Sequence, residues 1–142
     1  MNEKSKTIIR EEILGLPKEM QEAINSFPWE RISKDIGEKY LLNEGEIETF
    51  QLETASFLLG LVDEDSYSIN IEEEVGVSKE ESKKIAEEAF QKIFIPINNL
   101  LEKNIKKNLQ NNNPNWQQSI NFVLSGGDYF TLLENDNEDD KV

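Results

Sequence analysis

Apolar residues recur along this chain with the three- and four-residue spacing of amphipathic helices. In the first such stretch Ile8, Ile9 and Ile13 share one face, and Gly15 follows where a helix would end. The next two stretches each follow a proline, which suits the first turn of a helix. Their apolar stripes are Met20, Ile24 and Phe27 after Pro17, and Trp29, Ile32, Ile36 and Tyr40 after Pro28. The pattern predicts a short first helix followed by a helical hairpin.

Residues 44–61 are predicted to form the central helix of the fold. Asn43 precedes Glu46 by three residues, which is the spacing of a capping box. Two apolar rows run along the segment: Ile47, Phe50, Phe57, Leu58 and Leu61 in one, and Leu52, Ala55, Leu59 and Val62 in the other. A helix that is apolar on two sides packs against neighbours on both.

Residues 66–75 fit two structures. The four-residue spacing of Tyr67, Ile71 and Val75 predicts a helix, with Ser66 as its cap and a glycine at its end. The alternation of Tyr67 with isoleucines two and four residues later is equally typical of a strand. The sequence leaves the choice between the two open.

The longest helical pattern covers residues 78–109. Ser78 and Glu81 form a capping box at its start. Pro96 lies inside the pattern, where it removes one backbone hydrogen bond and its ring clashes with the preceding turn. We therefore expect a kink or break near Ile95.

Composition divides the 142 residues into two regions. Residues 1–110 are predicted to form one compact all-α domain of five or six helices, long enough to bury a core. Residues 111–142 are predicted to form an arm made of an Asn-rich linker, a short apolar segment and a flexible acidic tail. This C-terminal arm contains no helical pattern as long as those before it.

The acidic residues are concentrated in one part of the chain. No lysine, arginine or histidine occurs from Tyr40 through Ser78, and this stretch supplies −10 of the formal net charge of −14. Such a charge repels phosphate backbones and anionic lipids and attracts basic partners. No apolar run approaches the roughly 20 residues of a membrane span, so we expect a cytoplasmic protein that binds neither nucleic acid nor membranes.

Residue types also restrict the chemistry. The chain has no cysteine and no histidine, so thiol nucleophiles, the usual general base and the commonest transition-metal ligand are all missing. Asp63 and Asp65 have the first spacings of a calcium loop, but Ser68 stands where its sharp turn requires glycine. A capped interhelical loop is the better interpretation. We assign no catalytic residue, no cofactor and no metal site, and predict that the protein is not an enzyme.

The acidic cluster Glu72, Glu73 and Glu74 is a candidate partner site. It would lie at the C-terminal end of its helix, where the helix dipole disfavours anions. Lysines that follow closely could offset this charge within the chain: Lys79, Lys83 and Lys84. We prefer this interpretation narrowly over a docking surface for a basic partner.

The apolar residues of the arm are the second candidate partner site: Trp116, Tyr129, Phe130, Leu132 and Leu133. An apolar segment after a structureless linker must be buried somewhere. It could dock on its own helical domain or fold in a groove of a partner, and the two are equally supported.

Two segments carry a resemblance to a known group of proteins. LPKEMQEAI (16–24) and GVSKEESKKIAEEAFQKIFIPI (76–97), separated by the central helix, resemble a small all-helical domain of unknown function seen in predicted proteins of candidate-phyla bacteria. The resemblance covers residues 16–107 and implies an all-helical fold. It implies no activity, because its motifs are helix caps and core spacings.

Three functions remain, of which a non-enzymatic protein–protein interaction or adaptor module is the leading one. Its partner would be a protein with a basic or apolar groove. The alternative is an acidic mimic of nucleic acid that inhibits a DNA- or RNA-binding enzyme, which requires carboxylates in two tracks at the spacing of duplex phosphates. The third is an enzyme that uses carboxylates and a metal. Partner identity, pathway and oligomeric state are open.

Overall fold

The computed structural model describes residues 1–112 and shows only helical secondary structure there. Its elements are α1 (Glu3–Leu14), α2 (Lys18–Ser26), α3 (Trp29–Lys39), α4 (Glu44–Leu58), α5 (Glu64–Asn70), α6 (Lys79–Ala89) and α7 (Ile95–Asn112). One π-helical turn, Ile71–Val75, continues α5, and another, Phe90–Phe94, joins α6 to α7. The described residues thus form six continuous helical runs. This confirms the predicted all-α fold and excludes the strand for residues 66–75.

The predicted arm falls almost entirely beyond this part of the chain. Residues 111 and 112 still belong to α7. Residues 113–142, with the apolar segment and the acidic tail, lie outside the described residues.

Local capping explains most helix starts. Asn43 accepts a hydrogen bond from the backbone N–H of Glu46, whose carboxylate accepts one from the N–H of Asn43, both at 2.8 Å. Of the predicted box at Ser78, the side-chain cap forms, with a 3.1 Å bond from the N–H of Glu81, but the reciprocal bond from the Glu81 carboxylate does not. The predicted cap of α5 was wrong: Asp63 rather than Ser66 caps it, because the helix begins three residues earlier and an aspartate side chain can accept the N–H of its third residue.

The end of α4 also differs from the prediction of residues 44–61. The helix stops at Leu58, and Gly60 follows with φ +77°, a left-handed conformation that suits glycine and ends a helix. Leu61, predicted on the apolar face, lies past this end and is 64% exposed. Leu61 is therefore outside the core because the helix ends before it.

The core lies where α4 meets α3, α5 and the π-helical turn after α5, while α2 packs on α7. Its fully buried apolar side chains come from all helices after α1: Ile24, Ile36, Phe50, Tyr67, Ile71, Ile85, Ile93, Ile97 and Ile105. Helix α1 adds Ile9 and Ile13 at the edge of this cluster.

Pro96 changes the long helix without ending it. The turn before it widens to π geometry, and the N–H of Ile95 bonds to the carbonyl of Phe90, five residues back. Such a widened turn is a common response where the helical hydrogen-bond ladder is interrupted. The break predicted near Ile95 does not occur: a π-helical turn takes its place, and the helix then continues to Asn112.

Helices α3 and α4 approach closely at Gly37. This residue is buried in the last turn of α3, and a Cβ atom added to it would lie 2.6 Å from Cγ1 of Ile47. Relief would require Ile47 to leave its χ1 rotamer, which is restricted for a β-branched residue in a helix, or the two helices to move apart. Glycine at this position therefore sets the α3–α4 distance.

We expect Gly37→Ala to destabilise the protein by about 1 kcal/mol. Overpacking costs roughly 1–3 kcal/mol, and the higher helix propensity of alanine returns about 1 kcal/mol. Urea unfolding followed by circular dichroism measures the change. In an Ile47→Ala background the same substitution should be neutral or stabilising, and an equal loss in both backgrounds would contradict the close-contact explanation.

Candidate functional site

A groove of about 570 Å³ lies on the surface between α5 and α6. It is open along one side and is formed by one face of each helix. From α5 and its π-helical turn come Glu64, Asp65, Ser68, Ile69 and Glu72, and from α6 onward Lys79, Lys83, Ala86, Glu87 and Phe90. We call it the α5–α6 groove.

The connection between the two helices determines how they run. Gly76 has φ +88°, a left-handed conformation, and its N–H bonds to the carbonyl of Glu72 at 3.2 Å. Ser78 then caps α6, so residues 76–78 make the whole connection. So short a connection between two packed helices makes an antiparallel hairpin.

The floor of the groove is apolar. Ala86 is buried and Phe90 is partly buried, whereas the side chain of Ile69 is 51% exposed. Phe90 belongs to an aromatic cluster that extends into the core, with its ring 5.3 Å from Phe57 and 5.1 Å from Phe94. The floor is therefore supported by tightly packed rings.

Tyr67 packs against this aromatic cluster on its core side. Its ring lies 5.4 Å from Phe57, and its hydroxyl is 2.8 Å from Oγ1 of Thr54. Because Thr54 donates its own hydrogen to the carbonyl of Phe50, the Tyr67 hydroxyl is the donor in this pair. Burial raises the pKa of Tyr67 well above its ordinary value, so it stays neutral and acts as a structural residue.

Charged side chains form the walls. Three of the lining carboxylates belong to the α5 side: Glu64, Asp65 and Glu72. The α6 side carries Glu87 together with the two lysines, Lys79 and Lys83. Among residues 1–108, neither lysine has a side-chain ion pair or hydrogen bond, and Glu72 has none either. Lys84 pairs with Glu80 at 3.6 Å instead. No ion pair therefore joins Glu72, Glu73 or Glu74 to these lysines in this part of the chain, although Lys79 and Lys83 line the same groove as Glu72.

Both walls contain a π-helical turn. Glu72 lies in the turn after α5, and Phe90 opens the turn after α6. π-helical turns are rare in proteins and are often found at functional sites. Pro96 accounts for the second, whereas the first contains no proline.

The residues predicted to bind a partner do not all lie at the groove. Glu72 lines the groove and is partly buried, while Glu73 and Glu74 are exposed and do not line it. The predicted arm residues lie outside the described part of the chain: Trp116, Tyr129, Phe130, Leu132 and Leu133.

Sequence reasoning missed the apolar floor. Ile69 departs from the helical pattern of its segment, because on a helix it lies opposite the stripe of Tyr67, Ile71 and Val75. An apolar residue opposite the core stripe indicates either exposure or a second contact. The facing residue Phe90 gave no such signal, since it fits the core pattern of its own helix.

A second charged cluster joins α3 to α6 away from the groove. Glu88 accepts hydrogen bonds from Lys39, from Lys92 at 3.1 Å and from the Tyr40 hydroxyl at 3.1 Å. Burial raises the pKa of Glu88, but these three donors outweigh it and hold the pKa below its usual range. All members of the cluster are satisfied, so it has a structural role.

The residues of the candidate calcium loop are helical and do not form a loop. Residues 64–74, which would form the rest of it, belong to α5 and its π-helical turn, and Asp63 serves as cap. In the part of the chain that the structure describes, no three acidic, histidine or cysteine side chains are grouped to hold a metal ion. Over residues 1–112, no helix combines the length and apolarity needed to cross a membrane.

Comparison with known proteins adds no relative. No family model matches the chain, and it has no significant match among curated proteins or solved structures. The resemblance of residues 16–107 therefore stays a prediction.

Proposed function

We propose that this chain is a non-enzymatic protein–protein interaction module and that the α5–α6 groove is its binding surface. The observation that supports this is the exposed apolar floor between charged walls. Stable interfaces combine an apolar centre with a polar rim. Ile69 and Phe90 supply the centre here, and the lysines and carboxylates supply the rim.

The shape of the groove favours a protein partner over a small molecule. Small-molecule sites are concave and enclose most of their ligand. This groove is open, and its charged residues stand along both walls rather than converging on one point. A protein segment can lie along such a surface and leave one side in water.

The residue types of the groove support a binding role rather than catalysis. Ser68 is the one hydroxyl among its lining residues, and the chain has no histidine to activate it. A carboxylate pair could act as acid and base only if one were held in an apolar pocket. Glu64, Asp65 and Glu87 are all exposed.

The nucleic-acid mimic has less support. It needs many carboxylates free to imitate phosphates, but Asp63 and Glu46 are used as helix-capping groups. Lys79 and Lys83 also interrupt the acidic surface opposite Glu72. The arm beyond residue 112 stays a prediction as a second interaction element.

A pair of isoleucines provides a matched test. Ile69 in the groove and Ile8 on α1 are each 51% exposed, so replacing either by lysine leaves the core unchanged. Helix-forming peptides selected by phage display against the intact chain should bind the Ile69→Lys variant at least about tenfold more weakly, equivalent to about 1.4 kcal/mol. They should bind the Ile8→Lys variant as tightly as the unchanged chain. Selected peptides that respond equally to both variants would refute the assignment of the groove.

A further inference from the structure

We infer that the occupant of the α5–α6 groove is an amphipathic helix of another protein, with basic residues at one end and an acidic residue at the other. This inference rests on the proposed function and adds the chemistry of the partner. It follows from how the antiparallel hairpin distributes charge along the groove.

The two ends of the groove differ in charge. Because α5 and α6 run antiparallel, Glu64 and Asp65 lie beside the end of α6 that carries Glu87. Three lining carboxylates lie at this end, and the nearest lining lysine, Lys83, is one helical turn along α6 from Glu87. A partner placed here needs lysine or arginine side chains to complement these carboxylates.

The end of the groove near residues 76–78 favours a partner residue of the opposite charge, an acidic one. Lys79 stands there with Glu72, and Lys83 follows one turn along α6, midway between Lys79 and Glu87, so the cations of the groove begin at this end. Lys79 and Glu87 are eight residues apart on the same helix, about 12 Å. The partner should therefore carry its acidic residue roughly two turns from its basic residues.

The walls favour a helix over an extended peptide. An extended segment gains affinity mainly by adding a strand to a free sheet edge. Here both walls are helices, whose backbone groups bond within the helix, so they offer no such edge. A helix satisfies its own backbone and presents apolar side chains at every third or fourth position to Ile69, Ala86 and Phe90.

Charge argues against the chain's own tail and against a second copy. Residues 128–142 contain six carboxylates and one lysine, a net charge of −5, and would meet a groove whose walls carry −2. A second copy brings a net charge of −14. Both would face repulsion where a basic helix is attracted.

Four synthetic peptides test the inference against the full chain by fluorescence anisotropy. The first is an amphipathic helix with lysines at one end and glutamates at the other, and the second has the same composition with the charges intermixed. The third replaces all charges with glutamate, and the fourth is residues 128–142 of this chain. The segregated peptide should bind at least about fivefold more tightly than the intermixed one and more tightly than the other two.

A pair of charge-matched variants locates the effect. Asp65→Asn with Glu87→Gln should reduce the preference for the segregated peptide to less than about twofold. Glu11→Gln with Glu12→Gln makes the same change in net charge on exposed positions of α1 and should leave the preference intact.

The remaining outcomes are distinguishable. If both lysine-containing helices bind equally and both are lost with Ile69→Lys, the proposed groove stands and the charge order is refuted. Tighter binding of the tail peptide, or dimers in sedimentation that disappear with Ile69→Lys, would replace the partner helix by the tail or by a second copy. If no peptide depends on Ile69, both the inference and the proposed function fail.

Discussion

Replacing Tyr67 by alanine is expected to destabilise the folded protein by about 3–5 kcal/mol, as for other large aromatic side chains removed from a core. The side chain is fully buried, and its ring lies within 5.4 Å of Phe57 and Phe94. Its removal leaves a cavity beneath the floor of the groove and leaves the hydroxyl of Thr54 without this partner. Since a domain of this size has roughly 5–15 kcal/mol of stability in total, the loss would be a large part of it.

Urea unfolding followed by far-ultraviolet circular dichroism measures this loss. Tyr67→Phe is the matched control, because it keeps the ring and removes only the hydroxyl. It should cost about 1 kcal/mol, since Thr54 keeps its bond to the carbonyl of Phe50. If the alanine and phenylalanine variants lost similar stability, the packing of the ring would not be the cause.

Above about pH 10 the wild-type protein is expected to lose more stability than the Tyr67→Phe variant. Burial raises the pKa of Tyr67 in the folded state, whereas in the unfolded chain it is about 10. Above that pH the unfolded state releases the phenolic proton and the folded state retains it. The unfolded state then binds fewer protons, so stability falls as pH rises, by about 1.4 kcal/mol for each pH unit.

The wild type and the Tyr67→Phe variant should therefore exchange their order of stability as the pH rises. At pH 7 the wild type is the more stable by about 1 kcal/mol, this advantage vanishes near pH 11, and above that pH the phenylalanine variant is the more stable. Urea unfolding at several pH values between 7 and 12 measures the crossing. The other tyrosines and the lysines titrate in both proteins and cancel in the comparison. Parallel curves across this range would show that Tyr67 titrates alike in both states.

Both predictions bear on the binding surface, because Tyr67 supports Phe90 from the core side, with ring centroids 6.2 Å apart. A rigid floor lowers the cost of ordering an interface on binding. The Tyr67→Phe variant, which keeps this packing, should retain peptide binding. The same residues thus link the stability of the fold to the shape of the groove.

Helix existence was predictable from local sequence because it depends on spacing and on caps. The capping box at Asn43 and the cap at Ser78 form as predicted, since each needs only residues three positions apart. The choice between helix and strand at 66–75 was not predictable, because both spacings were present. Burial of Tyr67, Ile71 and Val75 against α4 and α6 decided for the helix.

The candidate site was predictable only in part. Of the acidic cluster, Glu72 lines the groove, and it lies three residues after Ile69, about one turn along the same helical run. Its two neighbours point elsewhere, since consecutive residues of a helix face directions about 100° apart. The expected lysine partners do not bond to the cluster, because pairing depends on side-chain reach across a hairpin rather than on closeness in sequence.

By itself, the sequence determined most of the helices, the caps at Asn43 and Ser78, the concentration of negative charge and the absence of cysteine and histidine. Only the tertiary structure decided where a binding surface lies. Ile69 and Phe90 are 21 residues apart, and they form one floor because the left-handed turn at Gly76 folds α5 back along α6. Periodicity describes each helix separately, whereas a groove is a relation between two helices, set by the packing of residues distant in sequence.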